Sequence, residues 1–338
     1  MSSIVLLCIL KRVRHCYVLW LFTFASLANV SISIPVLMSD SNNKLFVSVD
    51  MDEWYLARWA TGSQHAIWPD IETCCKEVYG RTDVKNLDAP TEIILQLFDE
   101  LNFRSTFFFT GVMASVYPHL VKKIASLGHE IGCHNYHHID YKEEIEQRFT
   151  EDLSRSKKML EDMIGKEVIG YRSPNSSVPK DIVRHLQHAG FKYDSSVTPT
   201  RKLFGKFGDF IKAPSYPYHP DINNIGHEGN ATLLEIPWAV FPYGKLPAGS
   251  GIMHRIAGDW YNSTAVRSVL QKGHTSYYFH PYEISSLDEL KNRKLPLKAK
   301  IFLRDCGGNY FFKLKNFLSE HKRNLINGRD LYKLCIGA

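Results

Sequence analysis

Ser105-Thr106-Phe107-Phe108-Phe109 reads as a short strand whose second half is an unbroken phenylalanine run. A strand with one wet face alternates apolar and polar residues. A continuous apolar run suits a strand covered on both faces, as in a parallel sheet flanked by helices. The neighbours agree. Residues 89–101 before it and 118–127 after it carry apolar side chains at helical spacing. Further short strands are legible at 45–49, 168–171, 191–193, 233–236 and 276–279, and a long charged helix at about 142–163. This β–α alternation predicts a parallel α/β sheet or barrel. Residues 201–232, rich in Gly, Pro, His and Asn, read as a long ordered loop.

The chain has 338 residues, 44% hydrophobic and 22% charged, with a formal charge of +6. That composition excludes a disordered, collagenous or polytopic membrane protein. The charge is too mild to identify nucleic acid as a partner. Seven cysteines stand at 8, 16, 74, 75, 133, 306 and 335, with no C-x-x-C pair. They suggest neither a disulfide framework nor a cysteine-based zinc site. At the N-terminus, an apolar run and Lys11-Arg12-Val13-Arg14 precede a stretch without charged residues from His15 to Ser39. Residues 1–40 are expected to be a signal peptide or a single membrane anchor, or a start assigned upstream of a true Met38. The first two readings place the protein at the cell envelope; a start at Met38 would leave it cytoplasmic.

In α/β barrels the active groups sit where strands end. The first strand runs into Asp50-Met51-Asp52-Glu53-Trp54, and acids two apart at a strand end project to one side. The strand near Ile131 runs into His134-Asn135-Tyr136-His137-His138, whose i, i+4 histidines would share one face of a helical turn. Two such histidines and one carboxylate make a sound three-ligand set for a catalytic divalent ion. Later strand ends present Arg172-Ser173-Pro174-Asn175, Tyr193-Asp194 and His280-Pro281-Tyr282-Glu283.

In this order the motifs resemble those of the NodB-type polysaccharide deacetylases, carbohydrate esterase family 4. Asp50-Met51-Asp52 corresponds to the family's paired acids with one residue inserted, a spacing like that of the branch tied to exopolysaccharide synthesis. His134 to His138 matches H-[ST]-x-x-H with Asn135 in the Ser/Thr position. Arg172-Ser173-Pro174 matches R-x-P, Asp194 stands for the fourth motif without its Trp, and Phe279-His280-Pro281 matches the fifth. The resemblance implies a distorted, incomplete parallel (β/α) barrel of about seven strands, with a deacetylase domain at 44–284 and a C-terminal helical extension at 285–338 closing it.

It also implies metal-dependent removal of N-acetyl groups from an amino-sugar polysaccharide or oligosaccharide. Asp52, His134 and His138 would hold the metal, zinc first, with cobalt, nickel or manganese as alternatives. Asp50 would be the general base, paired with Arg172. His280 would be the general acid, oriented by Asp194. Trp54, Tyr136, Pro174, Asn175 and Tyr282 would line the substrate, with Trp238 as a further flat face. The partner would be an N-acetylated glycan. Two alternatives remain open. One is a hydrolase of a small linear or cyclic amide, since the spacing of the acids also resembles that of such members. The other is an inactive carbohydrate-binding protein of the envelope.

Overall fold

The protein is described here by a computed structural model covering residues 42–61, 66–202, 208–291 and 293–337. The expected leader at residues 1–40 lies outside the described residues.

Seven strands form one parallel path. They are β1 (Leu45–Asp50), β2 (Thr106–Phe109), β3 (Glu130–Cys133), β4 (Gly170–Tyr171), β5 (Tyr193–Asp194), β6 (Leu234–Glu235) and β7 (Thr275–Phe279). Their order is β7-β1-β2-β3-β4-β5-β6, with every neighbouring pair parallel. An eighth, β8 (Leu325–Ile326), pairs with Leu45 and Phe46 on β1, below the stretch Ser48–Asp50 that β2 occupies. No ladder joins β6 to β7 among the described residues. Point contacts bridge the gap: Ser276 Oγ donates to the Pro237 carbonyl, and the Tyr278 N–H donates to the Gly249 carbonyl at 3.0 Å. The barrel is therefore incomplete, as the resemblance implies.

Every residue of β1, β2, β3 and β7 is buried, the outcome the phenylalanine run predicts for a two-sided sheet. Side chains alternate between two cores. Leu45, Val47, Val49, Phe107, Phe109, Tyr171 and Tyr277 pack outward in the large core shared with the helices. Phe46, Phe108, Tyr193, Leu234 and Ile236 fill the lumen. Space for these rings comes from glycines on neighbouring strands. A Cβ on Gly132 would lie 2.4 Å from the Phe108 ring, and one on Gly170 would lie 2.2 Å from Tyr193.

The C-terminal helix Gly328–Ile336 covers the N-terminal end of this lumen. Its Leu331 belongs to the lumen cluster, and the Gly328 N–H donates to Thr106 Oγ1 at 2.9 Å. Buried Glu130 accepts hydrogen bonds from Thr106, Tyr193 and the Arg329 N–H, which pins the helix to β2, β3 and β5.

Two local expectations change. The long charged helix begins at Glu146, because Ile145 is extended (φ −69°, ψ 146°) and acts as its N-cap. Within 201–232, Pro220–Asp221 and Asn224–Glu228 form an antiparallel hairpin, and Tyr218 makes an antiparallel bridge to Glu235. Polar, Gly-rich composition concealed those strands because only Ile225 and Gly226 of Asn224–Glu228 are buried.

Candidate metal centre and active site

The lumen is layered from its sealed end towards the C-terminal ends of the strands. Phe46, Phe108 and Tyr193 form the bottom. Above them lies a polar layer of Ser48, Arg172 and Ser195. The acids and histidines follow at the top. Alternation along β1 alone puts Phe46, Ser48 and Asp50 on this one line.

Just past β1 the Asp52 N–H bonds the Asp50 carbonyl at 2.9 Å, a tight turn that keeps both acids at the mouth. Past β3, His134 and His138 lie in a loop rather than on the expected helical turn. Asn135 adopts a left-handed conformation (φ 60°) that asparagine tolerates well. Its side-chain oxygen accepts the Tyr136 N–H at 2.8 Å, and its carbonyl accepts from Ser156 Oγ. The loop still brings both histidines to Asp52. His138 Nε2 lies 3.2 Å and His134 Nε2 3.6 Å from Asp52 Oδ2, and the three ligand atoms fit within 4.8 Å of one another.

These groups suit a divalent cation. His134 Nδ1 lies 2.7 Å from the Arg172 carbonyl; that bond puts the ring proton on Nδ1 and leaves the Nε2 lone pair free. Asp52 Oδ1 is buried with no hydrogen-bond partner among the described residues, and Oδ2 faces the two imidazole nitrogens. An acceptor-only carboxylate beside imidazole nitrogens is the donor set zinc uses. Burial opposes ionisation of Asp52, but His138 and His134 hold its carboxyl well below the usual range. Burial pushes His134 down, with Asp52 opposing; at His138 the Asp52 charge and contact prevail over burial and push it up.

Arg172 organises the second acid. Its Nη1 donates to Asp50 Oδ1 at 2.7 Å and to Ser48 Oγ at 2.8 Å; Nε donates to the Ser195 carbonyl and Nη2 to Ser195 Oγ. The guanidinium sits among four rings, 4.5 Å from the Phe108 centroid and 5.1 Å from that of Tyr278, with Phe46 and Trp238 farther out.

His280 is held by a residue that the motif reading passed over. Its Nδ1 lies 2.8 Å from Glu283 Oε1, which also accepts the His280 N–H at 3.1 Å. Glu283 Oε2 accepts from Arg255 Nε at 2.8 Å, and Arg255 Nη1 donates to the carbonyls of Phe302 and Arg304. Both side chains of this pair are fully buried. Burial alone would lower the His280 pKa; the bonded, charged Glu283 raises it above the ordinary histidine value. Asp194 makes no such contact. Tyr193 and Ser195 both face the lumen, so Asp194 between them faces outward, where Ser196 Oγ donates to it. The available signal was Glu283, three residues after His280 at the start of a turn.

The expected substrate contacts separate. Trp54 is wholly buried, stacked on Trp59 at 5.7 Å and donating to Tyr79, so it is a core residue with no face for a ligand. Tyr136 lies under the Arg155 guanidinium at 3.8 Å with its edge on Gly111, which covers it from behind. Pro174 is buried, and half-buried Asn175 takes a left-handed turn (φ 57°). Tyr282 stacks on His280 at 4.9 Å, and Trp238 packs on Tyr278 at 4.2 Å beside Arg172.

Known proteins resemble this chain in part of its sequence and in its fold. Residues 73–193 match the family model described as Polysaccharide deacetylase. A peptidoglycan deacetylase-like protein of Gibberella zeae is 26% identical over 174 residues, 51% of this chain and 48% of that protein. A peptidoglycan-N-acetylglucosamine deacetylase of Bacillus cereus is 28% identical over 102 residues, 30% of this chain and 47% of that one. A peptidoglycan deacetylase of Helicobacter pylori is 30% identical over 107 residues, 31% of this chain and 36% of that one. The chain thus spans less than half the length of these relatives. Among solved structures, a polysaccharide deacetylase of Mycobacterium smegmatis aligns over 87% of this chain and 91% of its own (TM-score 0.56, 20% identity). The Puue allantoinase aligns over the same shares (TM-score 0.57, 16% identity). At these identities the two structures establish the fold.

Proposed function

The chain carries a polysaccharide deacetylase domain of the NodB type, and on that premise we propose that it hydrolyses the N-acetyl amide of an amino-sugar polymer with the help of a divalent metal. One observation supports this reading above others. Asp52, His134 and His138, from two separate strand ends, converge within ligand distance of one another. The neighbouring acid, Asp50, is left to a different partner, Arg172.

Asp52, His134 and His138 would hold the ion, with zinc the best match to the donors. When bound, it supplies a Lewis acid for the amide carbonyl and for the attacking water. The protein does the rest. Asp50 accepts the proton of that water, and the Arg172 guanidinium, bonded to its other side, aims it. His280 donates a proton to the leaving amine, and Glu283, fixed by Arg255, keeps that histidine protonated and oriented. Half-buried Tyr282, stacked on His280, offers a flat face for a sugar ring. The envelope is the proposed place of action, with residues 1–40 proposed as the leader or anchor that would take the protein there.

The depth of the site favours a second reading. The side chains of Asp50, Asp52, His134 and His138 are all less than one-tenth exposed, and His280 is 17% exposed. A small linear or cyclic amide reaches such a recess more readily than a polymer chain does. The decisive experiment incubates the full chain, with zinc and after chelation, with a panel of N-acetylated glycans and a small cyclic amide. The proposal expects zinc-dependent acetate release from a glycan. Turnover of the cyclic amide alone, especially after chelation, would establish the second reading. Glycan binding with no turnover would leave a carbohydrate-binding protein.

A further inference from the structure

Behind Arg172, on the outer side of the sheet, lie two acids that this mechanism does not use. Asp194 on β5 and Glu235 on β6 are register partners on adjacent parallel strands, and both are completely buried. Register pairing on one face of the sheet sets their carboxyls side by side. Asp194 Oδ2 and Glu235 Oε2 have no hydrogen-bond partner among the described residues. Two buried carboxylates side by side repel, whereas one proton shared between an acid and a carboxylate would satisfy both orphaned oxygens. The outer oxygens have fixed tasks. Ser196 Oγ donates to Asp194 Oδ1 at 2.5 Å and accepts the Ser173 N–H at 2.8 Å, while the Val197 N–H donates to Glu235 Oε1 at 2.9 Å. Ser195, the residue in front of those two, points inward and grips Arg172 with its carbonyl and its hydroxyl.

We propose that Asp194 and Glu235 share one proton and form a positioning pair that clamps residues 195–197, and thereby Arg172 and Asp50, from behind the sheet. The inference rests on the reading of Asp50 as the base. The surroundings are consistent. Burial pushes Asp194 up to about 6, and burial with the Asp194 charge pushes Glu235 well above the usual carboxylate range. The other ionisable groups facing the pair are Arg172 and the phenols of Tyr171 and Tyr218. A singly protonated pair leaves one negative charge for the inward guanidinium without a second buried charge beside it.

The test uses the full chain and the variants Glu235→Gln and Glu235→Leu. Infrared difference spectra at neutral pH, wild type minus Glu235→Gln, report the carbonyl stretch of a protonated carboxylic acid. Other buried acids, Glu53 and Glu130, cancel in the difference. The band is expected in the wild type and absent from the variant, whose amide N–H takes over the shared hydrogen bond. Glu235→Gln should keep kcat within a few-fold. Glu235→Leu should lose about 100-fold in kcat, the scale of a misplaced catalytic group, with KM and zinc affinity unchanged. No acid band in the difference spectrum overturns the proposal, as does a Glu235→Leu protein with wild-type kcat. The spectrum needs no turnover, so it stands even if no glycan proves to be a substrate.

Discussion

Arg172 Nη1 donates to Asp50 Oδ1 at 2.7 Å, joining two residues 122 positions apart in the chain at the centre of the barrel. Both side chains are at most 4% exposed, so the pair is desolvated and rewarding only because its geometry is complete. Each guanidinium nitrogen has an acceptor, and the flat cation fills an aromatic cage. A lysine would keep the charge but supply neither the fork nor the plane. Arg172→Lys should fold and lose about 100-fold in kcat. Arg172→Leu, which strands Asp50, should lose about 3–5 kcal/mol of stability. Steady-state kinetics and denaturant titration check the two outcomes.

Asp50→Asn keeps the side-chain shape and removes the base. Turnover should fall by about 100- to 10,000-fold with zinc still bound at wild-type stoichiometry by metal analysis. A variant that also loses its zinc would move Asp50 into the ligand set.

His134→Ala removes a ligand whose ring the Arg172 carbonyl orients. Zinc and activity should disappear together. Undiminished turnover in metal-free His134→Ala would end the metal mechanism and favour the small-amide reading.

Glu283 raises the His280 pKa against the effect of burial. The folded value lies above the unfolded one. The stabilisation it brings is therefore full below the ordinary histidine value and fades as pH rises through the raised one. Activity follows the same limb, because a deprotonated His280 has no proton to give. Glu283→Gln should shift the alkaline limb of kcat/KM to lower pH. A pH profile with that limb unmoved would remove His280 from the acid role.

The C-terminal helix is expected to contribute to the stability of the barrel. Leu331 is fully buried in the lumen cluster. Leu331→Ala should cost about 2–5 kcal/mol, the usual range for a buried leucine. Thermal unfolding measures it, and KM should stay unchanged because the substitution lies at the opposite end of the lumen from Asp52.

The parallel sheet was legible because both-sided burial leaves a mark that needs no partner to read: Phe107-Phe108-Phe109 and the β1 run are apolar whatever packs on them. The residues at the strand ends were legible for a related reason, since acids and histidines closing apolar strands stand out by type. Trp54 shows the limit. An aromatic beside two acids looks the same in sequence whether it faces a ligand or, as here, a second tryptophan.

The sequence by itself determined the apolar strands of the parallel path and which chemical groups stand at their ends, because apolar runs and residue types are local properties. The tertiary structure decided the pairings: Glu283 rather than Asp194 against His280, Asp194 against Glu235, and the C-terminal helix in the base of the lumen. Those follow from which face of the pleat each residue occupies and which strand lies beside it. One residue of register reverses the face, and the neighbour of β5 begins 40 residues further along the chain.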